Sequence, residues 1–501
     1  MTRMKKLAFG MMTSAVYQIV TIVCNMILPR VIIGHFGSAT NGLVNSITQF
    51  LGFISLCELG MGAVVQSALY KPLAEQDASQ ISRIFISSER FFRKIGYILM
   101  AYVGVLLVIF PSISHSRFDA VYVCVLILII SISTFAQYFI GITYQILLNA
   151  DQKAYISVLA QTVVLIINTV ISCWLIYSNC SIHFVKLAAS LIFLVRPVIL
   201  IVYVRRQFVI DKKVPLDGEP IAQKWNGIAQ HFAQVALVNT PTVVLTLFST
   251  LENVSIYSVY YLVANGVRQL FISLTNGVQA LLGNMYVRNE AGLCRKFDVI
   301  ETMIHGSVTL IFTITGLMIV PFIQVYTAEI TDAQYVQVPV AVCITLSYGV
   351  YCIRLPYQMM IFAAGHYKQT QNGSFIEAGV NVIVSVVLVF RFGIVGVCLG
   401  MMAAVVYRLT YYAFYLSKHI ICYPISRYFM KCLTDLTAAG VMLLTCGMIH
   451  LSCGSFLQWI IKAAMVSAIC CVECAAIYFV IYRKDVSEVL RVLRGIKLRK
   501  C

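Results

Sequence analysis

"FISLCELGMGAVVQSALYKPLAEQD" (residues 53–77) carries one carboxylate, Glu58, about a dozen residues ahead of the first basic residue, Lys71. In a soluble helix Glu58 would face water. In a membrane span it must be paired, hydrated or used, because an ionised carboxylate is costly to bury. The surrounding chain decides which. Of 501 residues, 60% are hydrophobic and only 11% are charged, which excludes an ordinary soluble domain. Apolar runs of about 20 residues recur from end to end, each long enough to cross about 30 Å of hydrocarbon. The basic start "MTRMKK" leads into a full-length span with no small-residue cleavage site, so no removable leader is expected. The chain therefore reads as an all-α polytopic membrane protein with 14 spans, near 7–29, 40–69, 91–112, 120–149, 154–177, 184–204, 227–250, 255–285, 299–325, 336–364, 372–390, 393–416, 429–450 and 456–482.

Basic residues orient these spans. With the N-terminus in the cytoplasm, the cytoplasmic segments and adjoining helix ends carry 28 of the 37 Lys and Arg residues. The opposite side keeps Arg30, Arg117, Lys186 and Arg391, and five lie within spans. Both termini are then cytoplasmic. The net charge of +17 is accounted for by loops facing anionic lipid, and no nucleic-acid partner is implied. The 17 cysteines are scattered through spans, and "CCVEC" (470–474) has no histidine nearby, so neither a disulfide framework nor a metal site is expected.

A weak internal repeat organises the spans. "TYQILLNADQKAY" (143–155) matches "PYQMMIFAAGHYKQ" (356–369) at an offset of 213 to 215, and Tyr70 and Tyr286 end two "FISL" segments 216 residues apart. The expected plan is a pair of pseudo-symmetric six-helix bundles, 1–204 and 227–416, joined by a charged cytoplasmic linker (205–226). Helices 13 and 14 and a basic tail (417–501) are appended. Such parallel repeats commonly enclose a cavity opened alternately to each side.

Polar stripes at helical spacing mark the faces for that cavity. Helix 2 carries Asn41, Asn45, Thr48, Gly52, Ser55, Gly62 and Gln66, and helix 8 carries Tyr257, Tyr261, Asn265, Arg268, Thr275 and Gln279. Helix 10 adds Ser347, Tyr351, Arg354 and Gln358, and helix 4 adds Ser133, Gln137, Gly141 and Tyr144. "GIVGVCLG" (393–400) reads as close helix packing. Arg268 and Arg354 lie too deep to snorkel and should face protein or water. Arg196 and Arg408, about nine residues from the cytoplasmic end, are within snorkelling reach. Glu58, about 18 Å from that end at 1.5 Å per residue, falls on the flank of its stripe. It reads either as the buried partner of an arginine or as a carboxylate that changes protonation or ion occupancy. Glu377 and Asp435 fall near predicted cytoplasmic ends and read as solvated. No Walker, HExxH or paired-Asp metal motif is present and the outer loops are short, so no catalytic residue, metal or cofactor is expected, with H+ or Na+ as the candidate coupling ion.

The segment 25–77 resembles the Wzx-type oligosaccharide and polysaccharide flippases of the multidrug/oligosaccharidyl-lipid/polysaccharide (MOP) exporter superfamily. Arg30, "FGSATNGL", "ELG" and "ALYKPLAEQD" carry the resemblance, with "VSIYSVYYLV" and "GNMYVRNE" in the second half. It implies a V-shaped two-lobe carrier that moves undecaprenyl-pyrophosphate-linked oligosaccharide from the inner to the outer leaflet of a bacterial plasma membrane. Other polysaccharide-assembly membrane proteins would be its partners. On that reading Arg268 and Arg354 face phosphate, Arg30 helps near the outer mouth, and Asn45, Tyr261, Asn265, Tyr351 and Gln358 contact sugar or headgroup. Glu58 is the coupling or structural carboxylate. Relatives often have an Asp in helix 7, where this chain reads "LVNTPTVVL" (237–245), with Pro241 expected to break the helix. The alternatives are a drug/cation antiporter of the same superfamily, which predicts an acidic cavity, and a membrane polymerase or glycosyltransferase, which predicts a large outer loop or an acidic metal motif.

Overall fold

The computed structural model describes residues 3–58, 60–113, 118–211, 228–288, 292–421, 423–449 and 454–485, and every regular element among them is helical. The chain opens with α1 (Arg3–Phe36), α2 (Ser38–Gly52), a 3-10 segment (Phe53–Glu58) and α3 (Met61–Glu75). Next come α4 (Ala78–Ile113), α5 (Ala120–Ala136), a π-helical turn (Gln137–Gly141) and α6 (Ile142–Ala150). α7 (Ala154–Tyr177), α8 (Ile182–Phe193), α9 (Val195–Gln207) and α10 (Ile228–Phe248) precede the long α11 (Leu251–Val287). The remainder is α12 (Leu293–Tyr326), α13 (Val338–Ile353), α14 (Leu355–Ala363), α15 (Gln371–Phe392), α16 (Ile394–His419), α17 (Ile425–Gly447) and α18 (Phe456–Ile481). Most of the expected linker, from 212 onward, and the basic tail beyond 485 lie outside the described residues.

By length and apolarity, 12 helices qualify as membrane spans among the described residues, or 13 if the bent pair 38–58 and 61–75 is one span. The protein is thus multi-pass and all-α, as its composition predicts. The one expected span missing from that set, 255–285, corresponds to α11. It is long enough at 37 residues, but its polar stripe leaves it outside the apolar set.

Four expected single spans are interrupted. Two breaks have a proline as their cause: Pro197 follows the α8–α9 break and Pro356 the α13–α14 break. A proline supplies no N–H, and its ring crowds the carbonyl four residues earlier. Arg196 and Arg354 sit at these breaks. Proline does not always interrupt, however. Contrary to expectation, α10 runs unbroken through Pro241. That stretch is packed inside the fold, with Asn239, Thr240, Thr242 and Thr246 all buried and Thr246 bonded to the Thr242 carbonyl at 2.7 Å.

Packing divides the chain into two compact units, Met1–Ser258 and Val259–Cys501, with the division inside α11. In the first unit α10 packs on α2: Ser46 and Thr246 share a hydrogen bond of 2.7 Å, and His231 bonds the Ser55 carbonyl at 2.7 Å. Asn41 donates to Ser255 at 2.8 Å. Gly42 lets the backbones meet, since a Cβ there would lie 1.8 Å from the Leu251 carbonyl oxygen. In the second unit "GIVGVCLG" does pack closely. A Cβ on Gly396 would lie 2.3 Å from the Leu388 carbonyl, and one on Gly400 would lie 2.1 Å from Ser385 Oγ. A separate apolar core, including Met318, Ala438, Met442 and Cys470, joins α17 and α18 to α12.

Candidate functional site

In the second unit, α11, α13, α14, α15 and α16 bring three arginines into one buried cluster. Arg268 of α11 stands 4.9 Å from the ring centroid of Tyr351 and 5.3 Å from that of Tyr348. Arg354, at the α13–α14 break, stands 4.1 Å from the same Tyr351 ring and pairs closely with Glu377 of α15. Arg408 of α16 lies 3.6 Å from the other Glu377 oxygen and donates to Ser374 at 2.6 Å and Tyr412 at 2.5 Å. The three arginine residues are 4%, 4% and 1% exposed, so water screens their charges little.

The charges do not balance. Arginine stays protonated in any protein setting, so three positive charges face one carboxylate. Arg354 and Arg408 share Glu377, and Arg268 has no carboxylate partner among the described residues. Its Nε and Nη1 have no hydrogen-bond acceptor there, and neither does Arg354 Nε. Buried donors are almost always satisfied, and each that is not costs about 1–3 kcal/mol. Tyrosine faces soften the deficit for Arg268 by cation–π attraction without removing it. The arrangement is suited to an anion with several oxygen acceptors.

Two sequence expectations are corrected here. Glu377 is not solvated: at 3% exposure it is the counter-ion of the cluster. Arg408 does not snorkel. It is among the most deeply buried side chains in the protein, held in place by Glu377, Ser374 and Tyr412. In both cases an apolar environment leaves a charged group no option but its opposite, and that attraction outweighs nearness to a helix end.

The first unit holds a second polar site. A cavity of about 460 Å³ is lined by Thr48, Gly52, Ser55, Glu58, Gln137 and Asn239, among others. Two irregular turns meet in it. The 3-10 winding of residues 53–58 turns Glu58 toward the same space as Gly52 and Ser55, and the π-helical turn presents Tyr138, whose hydroxyl donates to Glu58 at 2.5 Å. Glu58 is half-buried, and no arginine among the described residues pairs with it. Its partner is a tyrosine instead. An adjoining cavity of about 240 Å³ shares Ser133, Thr134 and Gln137 and is bounded by Gln145, Gln161 and Arg196. Arg196 does not snorkel either, since it donates to Gln145 at 2.8 Å and Ser157 at 3.1 Å.

The remaining expected residues are placed as follows. Tyr261 is half-buried, 6.3 Å from the Tyr348 ring, and so belongs to the arginine cluster. Asn265 and Gln358 flank it on α11 and α14, each half-buried with a side-chain oxygen lacking a donor among the described residues. Asn45 is half-buried and donates to the Asn41 carbonyl of its own helix at 2.8 Å. Arg30 is half-buried toward the end of α1. Of the helix 4 stripe, Ser133, Gln137 and Gly141 line the smaller cavity, whereas Tyr144 is buried against Phe85 at 5.0 Å. Tyr138, Gln145, Gln161, Tyr348 and Tyr412 went unread in the sequence. For Arg196 and Arg354 a usable signal was the nearby proline in "VRPV" (195–198) and "IRLP" (353–356).

No family model matches the chain, and no curated protein matches its sequence. Solved structures do resemble it. The lipid II flippase MurJ in an inward closed conformation superposes with a TM-score of 0.67 at 15% identity, over 93% of this chain and 99% of that one. An inward-facing multidrug resistance MATE family transporter of the MOP superfamily gives 0.60 at 14% identity, over 79% and 94%. A eukaryotic MATE transporter gives 0.50 at 13%, over 93% and 98%. At these identities the likeness establishes the fold, which this chain shares with that flippase and those two transporters.

Proposed function

We propose that this protein is a flippase of the Wzx type, carrying an oligosaccharide linked to undecaprenyl pyrophosphate from the inner to the outer leaflet of a bacterial plasma membrane by alternating access. The observation that carries this reading is Arg268, buried without a carboxylate beside the Arg354–Glu377–Arg408 group. Pyrophosphate would supply the acceptors that Arg268 Nε and Nη1 and Arg354 Nε lack. Tyr261, Tyr351, Asn265 and Gln358 stand beside these donors as partners for hydroxyl-rich sugar, while Asn45 and Arg30 would act on the path. The likeness to a lipid II flippase at TM-score 0.67 supports the same direction. In this reading the sequence repeats 1–204 and 227–416 are the moving parts, 417–501 is appended, both termini are cytoplasmic, and the carrier is not an enzyme. Other polysaccharide-assembly membrane proteins are its proposed partners.

The test uses purified protein in liposomes with a fluorescent undecaprenyl-pyrophosphate oligosaccharide in both leaflets, with and without a pH gradient. Loss of leaflet protection supports the reading. A folded protein that moves none of several such lipids refutes it. The second reading, a drug/cation antiporter, draws on Glu58 in its cavity of the first unit as an acceptor for a cation. Cation-driven drug uptake in the same vesicles would favour it.

A further inference from the structure

A separate polar network in the second unit fastens α17 and α18 to α12. Four buried carboxylates each meet a basic group: Asp298 with Arg427 at 2.7 Å, Asp485 with Arg295 at 2.5 Å, Glu301 with Lys431 at 2.6 Å, and Asp435 with His305 at 2.6 Å. Asp435 is therefore not the solvated residue that its place in the sequence suggested. The two arginines stand at the rim, nearly half exposed, whereas Lys431 and His305 are buried. Three of the four basic partners are strong bases. The fourth is an imidazole, the one side chain whose charge changes near neutral pH.

Asp435 accepts hydrogen bonds from His305 Nδ1, from Thr309 at 2.8 Å and from the Tyr478 hydroxyl. Among the described residues no lysine or arginine reaches it. Its neutrality therefore depends on the ring of His305. Hydrogen-bond direction points the same way. The Tyr357 hydroxyl of α14 donates to Glu301, and its oxygen lies 3.4 Å from His305 Nε2. A neutral ring with its proton on Nδ1 would aim a bare lone pair at an oxygen whose own proton is committed elsewhere. A doubly protonated ring aims an N–H there instead, and every donor then has its acceptor: Nε2–H to Tyr357, Tyr357 to Glu301, Nδ1–H to Asp435.

We propose that His305 and Asp435 form a proton-binding site, in which the ring of His305 holds an exchangeable proton between Asp435 and Tyr357. The other titratable groups around the network are accounted for. On α12, Asp298 and Glu301 are bound by Lys431 at 2.7 and 2.6 Å. From α17, Cys432 lies near Asp435 and Glu301, and from α18, Cys474 lies near Asp435. Tyr482 of the α18 end is 3.2 Å from Thr434. Tyr423, between α16 and α17, donates to Asp298 and Glu301, and burial together with these carboxylates pushes its hydroxyl far above the usual phenol range, so it stays a donor. Tyr357 lies one turn beyond Arg354 on α14, which links the proton to the helix at the arginine cluster. A role as coupling proton rests on the transport reading above, whereas the site itself does not.

The experiment is magic-angle-spinning NMR of the full-length protein in liposomes, with isotope-labelled histidine ring nitrogens and the His305 signal identified by its loss in His305→Gln. At neutral pH the His305 ring shows two protonated nitrogens, and raising the pH converts it to the neutral form. Asp435→Asn moves most of the population to the neutral ring at the same pH. A singly protonated ring in wild type at neutral and mildly acidic pH overturns the proposal, and this needs no variant that must fold. An unchanged ring in folded Asp435→Asn also overturns it. If the ring titrates while lipid translocation ignores a pH gradient, the coupling role falls and the site stands.

Discussion

Replacing Glu377 by glutamine removes the carboxylate that Arg354 and Arg408 share. Both arginines are at most 4% exposed, so neither can turn to water. Breaking a buried ion pair by removing one partner costs about 3–5 kcal/mol. The glutamine oxygen keeps one neutral hydrogen bond worth about 1 kcal/mol, which leaves a net loss of about 2–4 kcal/mol. Arg408 retains Ser374 and Tyr412, while Arg354 retains mainly the Tyr351 ring, so the loss falls chiefly on Arg354. Denaturant unfolding of the purified protein in detergent measures it. Adding Arg408→Met should then recover part of the loss, because one surplus buried charge is gone, giving a favourable coupling in the double-mutant cycle. A Glu377→Gln variant within about 0.5 kcal/mol of wild type, the range of ordinary surface changes, would refute the claim that Glu377 is a charged counter-ion.

Other predictions concern packing and the first unit. Gly400→Ala should lower the unfolding midpoint by an amount equivalent to about 1–3 kcal/mol, the usual range for overpacking, because its Cβ would meet Ser385 at 2.1 Å. Faster hydrogen exchange confined to α15 and α16 would locate the damage. Gly42→Ala should act likewise through Leu251, loosening α2 from the start of α11. Tyr138→Phe removes the donor to Glu58 and should cost about 1.5–3 kcal/mol, as for a hydrogen bond to a charged group. Glu58 should then react faster with a water-soluble carbodiimide, followed by mass spectrometry.

The all-helical, multi-pass fold was legible because hydropathy and the distribution of lysine and arginine report directly on the solvent. Arg268, Arg354, Tyr261 and Tyr351 were legible as a group because a helix with 3.6 residues per turn places them on definable faces. What sequence could not supply was the pairing between helices. Glu377 and Asp435 looked solvated by position along the chain, yet each meets a basic residue brought by another helix, Arg354 for one and His305 for the other. For Glu58 the part that could not be read was its partner, Tyr138. The angular position of Glu58 assumed a regular α-helix, and the 3-10 turn at 53–58 changes the face on which it emerges. The π-helical turn that supplies Tyr138 leaves no periodic trace in the sequence.

The central claim is that Arg268 is kept for an anionic substrate and not for the fold, and one measurement separates the two. Arg268→Met and wild type are compared in the same liposomes for translocation of the fluorescent undecaprenyl-pyrophosphate oligosaccharide, and in detergent for unfolding. A buried arginine without a counter-ion adds little to stability, and an apolar side chain of similar volume often matches or exceeds it. The variant should therefore unfold at or above the wild-type midpoint while translocation falls at least about tenfold, the equivalent of 1.4 kcal/mol. Wild-type translocation by Arg268→Met would contradict the account.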